Sequence, residues 1–211
     1  MHVTQPTTGT VYVVDDDERV RTSYTKLLEV AGFRVQAHAT AKTFLAAFDR
    51  TAPGCLVLDL QLRRESGLAL QDKLRRRHVA LPIIFVSGHG DVRTSVHALR
   101  SGAIDFLEKP IRPRDLLARV REALERGRHD YEAAATRAAV DRRVAALTPR
   151  ERQVAARLLA GETSKEIATV LGMSARTAEG HRRAVFRKME VPSAAALVRL
   201  IAATDHPLLR T

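Results

Sequence analysis

Asp15, Asp16, Asp17 and Glu18 stand in a row directly after the apolar run VYVV at 11–14. Four carboxylates gathered in a crevice repel, and raise one another's pKa unless a cation neutralises them. Other polar residues end apolar runs of the same kind: Asp59 closes CLVLD, Ser87 closes PIIFVS and Lys109 closes AIDFLEK. Taken singly, an Asp after a strand is most often a helix cap or a solvated turn. Taken together, these residue types supply the parts for phosphoryl chemistry. Mg²⁺ keeps several waters and suits a site of one or two carboxylates plus a phosphate. A lysine is a mobile point charge for phosphate, and a serine hydroxyl can reach a phosphoryl oxygen. Asp59 is then the nucleophile that would form an aspartyl phosphate.

Such a site needs a scaffold that gathers strand ends. From residue 11 to about 126, short runs at 11–14, 34–38, 55–59, 82–87 and 103–109 alternate with amphipathic stretches. Val20, Tyr24, Leu27 and Leu28 form one apolar stripe before Gly32, and Phe44, Leu45 and Phe48 form another after Thr40. Leu68, Leu70 and Leu74 follow Ser66, the stretch Asp91–Arg100 stops at Gly102, and Leu116, Leu117, Val120 and Leu124 follow Pro113. This alternation predicts a flavodoxin-like, doubly wound five-stranded parallel sheet, an α/β fold. In that order the first and third strands are neighbours, and ligands bind beyond the carboxyl ends of the strands.

The remainder reads differently. Residues 127–146 are rich in alanine and charge without an apolar stripe, and read as a helical or mobile linker. From Leu147 onward the pattern is all-α, with explicit caps: TPRE at 148–151 and TSKE at 163–166 are capping boxes. Ser174 opens a longer helix to about Met189, and Ser193 opens a last one, giving a four-helix domain over 147–211. LGMS at 171–174 is a glycine turn of helix-turn-helix type. Of the net charge of +11, the stretch from residue 142 carries much, with 13 Lys/Arg against 6 Asp/Glu. A compact basic segment suits a polyanion. A single cysteine excludes an internal disulfide and fits a reducing compartment, and no apolar run approaches the ~20 residues of a membrane span. The MHVTQPTTGT start lacks the pattern of a signal peptide, so a cytoplasmic protein is expected.

The motifs VVDDDE, CLVLDL, IIFVSGHGDV and AIDFLEKP resemble the receiver domain of two-component response regulators of the FixJ/NarL type, over residues 11–125. The resemblance implies a domain spanning 1–126 in which Asp59 accepts a phosphoryl group from a sensor histidine kinase. It implies Mg²⁺ held by Asp16, Asp59 and the backbone carbonyl of Gln61, with Asp15 acting through water. It also implies phosphoryl contacts from Ser87 and Lys109, a cis Lys109–Pro110 peptide and an aromatic switch at Phe106. The chain departs from the pattern at Leu62-Arg63-Arg64, where such regulators carry a Met-Pro-Gly-like loop, and at Ile111, where phenylalanine is usual.

The segment from Leu147 is similar to the LuxR-type helix-turn-helix module. That resemblance makes 164–171 a scaffold helix and 175–189 a recognition helix, with Glu179, Gly180 and Arg183 facing base edges. Arg183 would pair with guanine and Glu179 would accept from a cytosine amine. Lys165, Arg176, Thr177, His181 and Arg187 would reach phosphates, and Arg182 belongs to the same basic face. The expectation is a transcription factor, not an enzyme, that binds promoter DNA, with an activating role and RNA polymerase as a further partner. Phosphorylation would bring two copies together through helix 91–100 and strand 103–109. Arg63 and Arg64 motivate a rival, a regulator that ignores phosphorylation. A Mg²⁺-dependent phosphatase with an Asp nucleophile needs a second acid two residues on, where Gln61 stands.

Overall fold

The structure is a computed structural model, which describes residues 9–63, 65–88, 92–204, 206 and 208. Five strands, β1 (Thr10–Val14), β2 (Arg34–His38), β3 (Gly54–Asp59), β4 (Ile83–Ser87) and β5 (Asp105–Glu108), form one sheet in the order β2-β1-β3-β4-β5. Every pairing is parallel. The three inner strands are buried along their whole length, which is why they read as unbroken apolar runs. Period-two alternation then sorts their side chains. Val11, Val13, Cys55, Val57, Ile84 and Val86 pack on one face against Leu28 of α1 (Glu18–Val30) and against Leu116, Val120 and Leu124 of α5 (Pro113–Ala145). Tyr12, Val14, Leu56, Leu58 and Phe85 pack on the other. Their partners there are Phe44 of α2 (Ala41–Ala47), Leu70 and Leu74 of α3 (Gly67–Arg76) and Ala98 of α4 (Val92–Arg100).

The last strand is shorter than 103–109, because Ala103 and Ile104 lie before the ladder begins at Asp105. Helix α4 is described from Val92 to Arg100; its expected first residue, Asp91, lies outside the described residues, as does Arg64.

The chain divides into two compact units between Tyr131 and Glu132, inside the stretch read as a linker. Residues 127–145 are helical, as the continuation of α5. The stretch also holds apolar anchors: Val140 and Val144 are buried with Leu147 in the core of the second unit. Two valines four residues apart lie on one helix face, but among alanines and arginines they make a stripe too narrow to see by eye.

The second unit builds its core from α6 (Pro149–Leu159), α7 (Ser164–Leu171), α8 (Ala175–Met189) and α9 (Ala194–Ala203). Val154, Leu158, Ile167, Val185, Met189, Leu197 and Ile201 are buried together, with Leu171 partly buried against them. Both expected capping boxes are present, Thr148 with Glu151 and Thr163 with Glu166. Gly172 ends α7 with φ at +62°, a left-handed conformation that glycine adopts without the cost a Cβ brings, and Ser174 then caps α8.

Candidate functional site

The register of β1 on β3 sets Val14 beside Leu58, so the next residues, Asp15 and Asp59, emerge together at the carboxyl edge of the sheet. Asp15, Asp16 and Asp59 each present a carboxylate oxygen within 4.8 Å of the others. The adjacent acids have separate surroundings. Asp15 is 2% exposed, and one of its oxygens accepts from the Asp17 backbone N–H at 2.9 Å. Asp17 is the N-cap of α1, accepting from the N–H groups of Arg19 and Val20 at 2.8 and 3.4 Å, and these bonds hold its carboxyl below the usual range. Glu18 opens the helix at its favourable dipole end.

From β5, Lys109 reaches across the crevice. Its backbone N–H donates to the Ser87 carbonyl at 2.8 Å, which fixes the two residues side by side at the ends of β4 and β5. Its Nζ donates to Asp15 Oδ2 at 2.8 Å and to Asp59 Oδ2 at 3.1 Å. Burial pushes the Asp15 carboxyl above 3.8, with the Asp59 charge adding to it, against the pull of Lys109. For Lys109 burial works downward, but its two hydrogen bonds and the two negative charges outweigh that, and its pKa lies above 10.5. Ser87 is fully buried at the strand end, Phe106 pairs in register with Phe85 and is partly buried, and Lys109–Pro110 is cis.

Behind Asp59 the backbone is crowded. The Gln61 N–H donates to Asp59 Oδ1 at 3.2 Å, and a Cβ placed on Gly67 would lie 2.4 Å from the Asp59 carbonyl oxygen. In front, Arg63 Nε lies 3.0 Å from Asp16 Oδ2. All three carboxylates are therefore matched by the chain's own cations, two by Lys109 and one by Arg63. The departure at Leu62-Arg63-Arg64 was legible, but which acid it meets was not, since that depends on how the loop after β3 folds back. The clustered carboxylate oxygens are the hard donors that suit a divalent metal such as Mg²⁺, which would have to displace the Arg63 pair from Asp16.

In the second unit, Arg176, Gly180, Arg183 and Arg187 are exposed on α8, and their spacings of four, three and four place them on one face. Ala178, Val185 and Met189 are buried on the opposite face. Thr177 lies in the first turn with its hydroxyl 2.8 Å from that of Ser174, and Lys165 is exposed on α7. His181 and Arg182 are half-buried, and the Arg182 guanidinium lies over the Phe186 ring at 5.3 Å. Glu179 is also half-buried, because its carboxylate accepts from the Ser164 hydroxyl of α7 at 2.7 Å.

Residues 11–121 match the response regulator receiver domain family, and residues 145–201 match the luxR family of bacterial regulatory proteins. The transcriptional regulatory protein FixJ of Bradyrhizobium diazoefficiens is 39% identical over 92% of this chain and 95% of its own length. The response regulator protein TmoT of Ectopseudomonas mendocina is 38% identical over 90% and 86%. Among solved structures, the response regulator StyR matches with a TM-score of 0.82 at 37% identity, over 92% of this chain and 98% of that one. Full-length FixJ from B. japonicum matches with a TM-score of 0.56 at 38% identity, over 93% and 97%. The chain belongs to the response regulator family: it is a transcriptional response regulator that joins a receiver domain to a luxR-type helix-turn-helix domain.

Proposed function

We propose that the receiver takes up a phosphoryl group on Asp59 from a sensor histidine kinase, and that this uptake controls binding of promoter DNA by α8. The observation that carries this reading is Lys109 Nζ held between Asp15 and Asp59 at the carboxyl edge of the sheet. In the transfer, an Asp59 carboxylate oxygen attacks phosphorus, an O–P bond forms, and the N–P bond of the phosphohistidine breaks as the imidazole leaves. Lys109 already touches the reacting carboxylate, so it is placed to take the new phosphoryl oxygens, with Ser87 beside it. Asp16, Asp59 and the Gln61 carbonyl would hold Mg²⁺, with Asp15 acting through water, and the ion would supply positive charge to the phosphoryl group.

Arg183 and Gly180 of α8 face base edges, and Lys165 of α7 with Arg176, Thr177, His181 and Arg187 of α8 take phosphates. A Cβ at Gly180 would meet nothing within 4 Å, so no packing inside the chain demands a glycine there. Close approach of DNA would account for it. Phosphorylated copies would pair through helix 91–100 and strand 103–109, where Val96 and Leu99 stand 40% and 43% exposed on α4. The reading further holds that the protein activates transcription through RNA polymerase and works in the cytoplasm. Among the described residues no helix is long and apolar enough to cross a membrane.

The test is incubation with acetyl phosphate and Mg²⁺ followed by intact-mass measurement. One phosphoryl group should add to the wild-type chain and none to Asp59→Asn. The ion pair from Arg63 to Asp16 favours a second reading, in which the loop occupies a metal-binding carboxylate and the regulator acts without phosphorylation. A wild-type chain that stays unlabelled, yet labels as Arg63→Ala, would establish that second reading.

A further inference from the structure

We infer that Glu179 does not read a base itself but positions Arg183, and that Ser164 of the neighbouring helix holds Glu179 in place. The inference rests on the reading of α8 as a recognition helix. Glu179 shares its two oxygens between two tasks. Oε2 accepts from the Ser164 hydroxyl at 2.7 Å and lies 3.7 Å from Arg182 Nη1. Oε1 lies 3.8 Å from Arg183 Nε. Ser164 in turn accepts from Arg182 Nη1 at 3.3 Å, and Arg182 is stacked over Phe186. One carboxylate thus accepts a hydrogen bond from α7 and lies within ion-pair distance of two guanidinium groups of its own helix.

The atoms used decide the role. A bidentate contact with guanine O6 and N7 employs parallel N–H groups of the guanidinium fork. The carboxylate approaches Arg183 at its Nε, and the Arg183 side chain is 78% exposed, which leaves the rest of the guanidinium within reach of a partner. A long side chain restrained on one edge loses less rotamer freedom when it binds. A carboxylate used for direct reading would instead point outward near the phosphates, where its charge is repelled. Here it is half-buried and turned toward Ser164, with two arginines neutralising it. Arg182 is also accounted for: with its guanidinium on Phe186 and Ser164, it anchors the carboxylate from the other side.

The test uses the full-length chain treated with acetyl phosphate and Mg²⁺, with selection from a randomised duplex pool to define the preferred site. Affinities are then measured for that site and for each single-base change in it. Arg183→Ala should lose roughly ten- to hundredfold discrimination at one base pair. Glu179→Gln and Ser164→Ala should each lose part of the discrimination at that same base pair. Ser164→Thr, which keeps a hydroxyl, should retain it. In the Arg183→Ala background, Glu179→Gln should add no further loss, since coupled residues do not act additively. If Glu179→Gln instead relaxes a different base pair, or its loss multiplies with that of Arg183→Ala, Glu179 reads DNA directly and the inference fails. If Arg183→Ala leaves every base preference intact, the recognition-helix reading fails as well, and the two failures are told apart by that one variant.

Discussion

At the carboxyl edge of the sheet, Asp15 is 2% and Asp59 9% exposed, and a single ammonium bonds to both. On α8, Arg183 is 78% exposed and its nearest opposite charge lies 3.8 Å away. The same physics gives two sites with different sensitivities. Charges withdrawn from water interact strongly and become costly when a partner is lost, whereas charges left in water are screened and individually weak. The receiver pocket should therefore respond to single-atom changes and little to salt. The DNA-binding face should tolerate single changes without loss of folding stability, and its binding should respond strongly to salt.

The largest test of that contrast is Lys109→Ala, which leaves Asp15 and Asp59 facing each other without their shared cation. The expected cost is about 2–4 kcal/mol of stability in urea unfolding at neutral pH. In the wild type this contribution is present below 10.5, the ordinary lysine value, and is lost as pH rises through the raised folded value. A cost under about 0.5 kcal/mol would place the pocket in the same class as the exposed face.

Asp15→Asn sharpens the contrast with a smaller effect of opposite sign. Burial raises the Asp15 pKa, so the folded chain holds that proton more readily than the unfolded one. Stability from the group is full below 3.8 and is lost as pH rises through the folded value. In chelator at about pH 7, the asparagine variant should be more stable by on the order of 1 kcal/mol. That advantage should vanish as pH falls toward 3.8. An advantage independent of pH would mean that burial of the charge is not its source.

On the exposed face, Lys165→Ala should weaken binding to preferred and random duplexes alike, by a few-fold. It should also lower the slope of log affinity against log salt by roughly one unit. Folding stability should stay within about 0.5 kcal/mol of the wild type. A loss confined to the preferred duplex would make Lys165 a reader of sequence rather than a phosphate contact.

The sequence carried the fold through features that act locally. Inner strands showed as apolar runs because both their faces are covered, and α6 and α7 showed because Thr148, Glu151, Thr163 and Glu166 are caps whose partners lie within a turn. The polar strand ends were legible for the same reason: Asp59 and Ser87 each interrupt a run of buried residues. What stayed hidden depends on contacts between distant segments. Val140 and Val144 gain meaning only against the core of the second unit. Arg63 meets Asp16, 47 positions away, and Ser164 meets Glu179 across the turn between two helices. No spacing rule within one element announces either pair.

Gly67 has a mechanical consequence. Its missing side chain lets the first turn of α3 sit against the Asp59 carbonyl, with Phe85 and Leu58 closing the remaining space at 2.9 and 3.2 Å from where a Cβ would be. The strand end that bears Asp59 is thus backed by a wall and has no room to recoil. A push on Asp59 cannot be relieved toward α3, as a beam clamped along one edge cannot give along that edge.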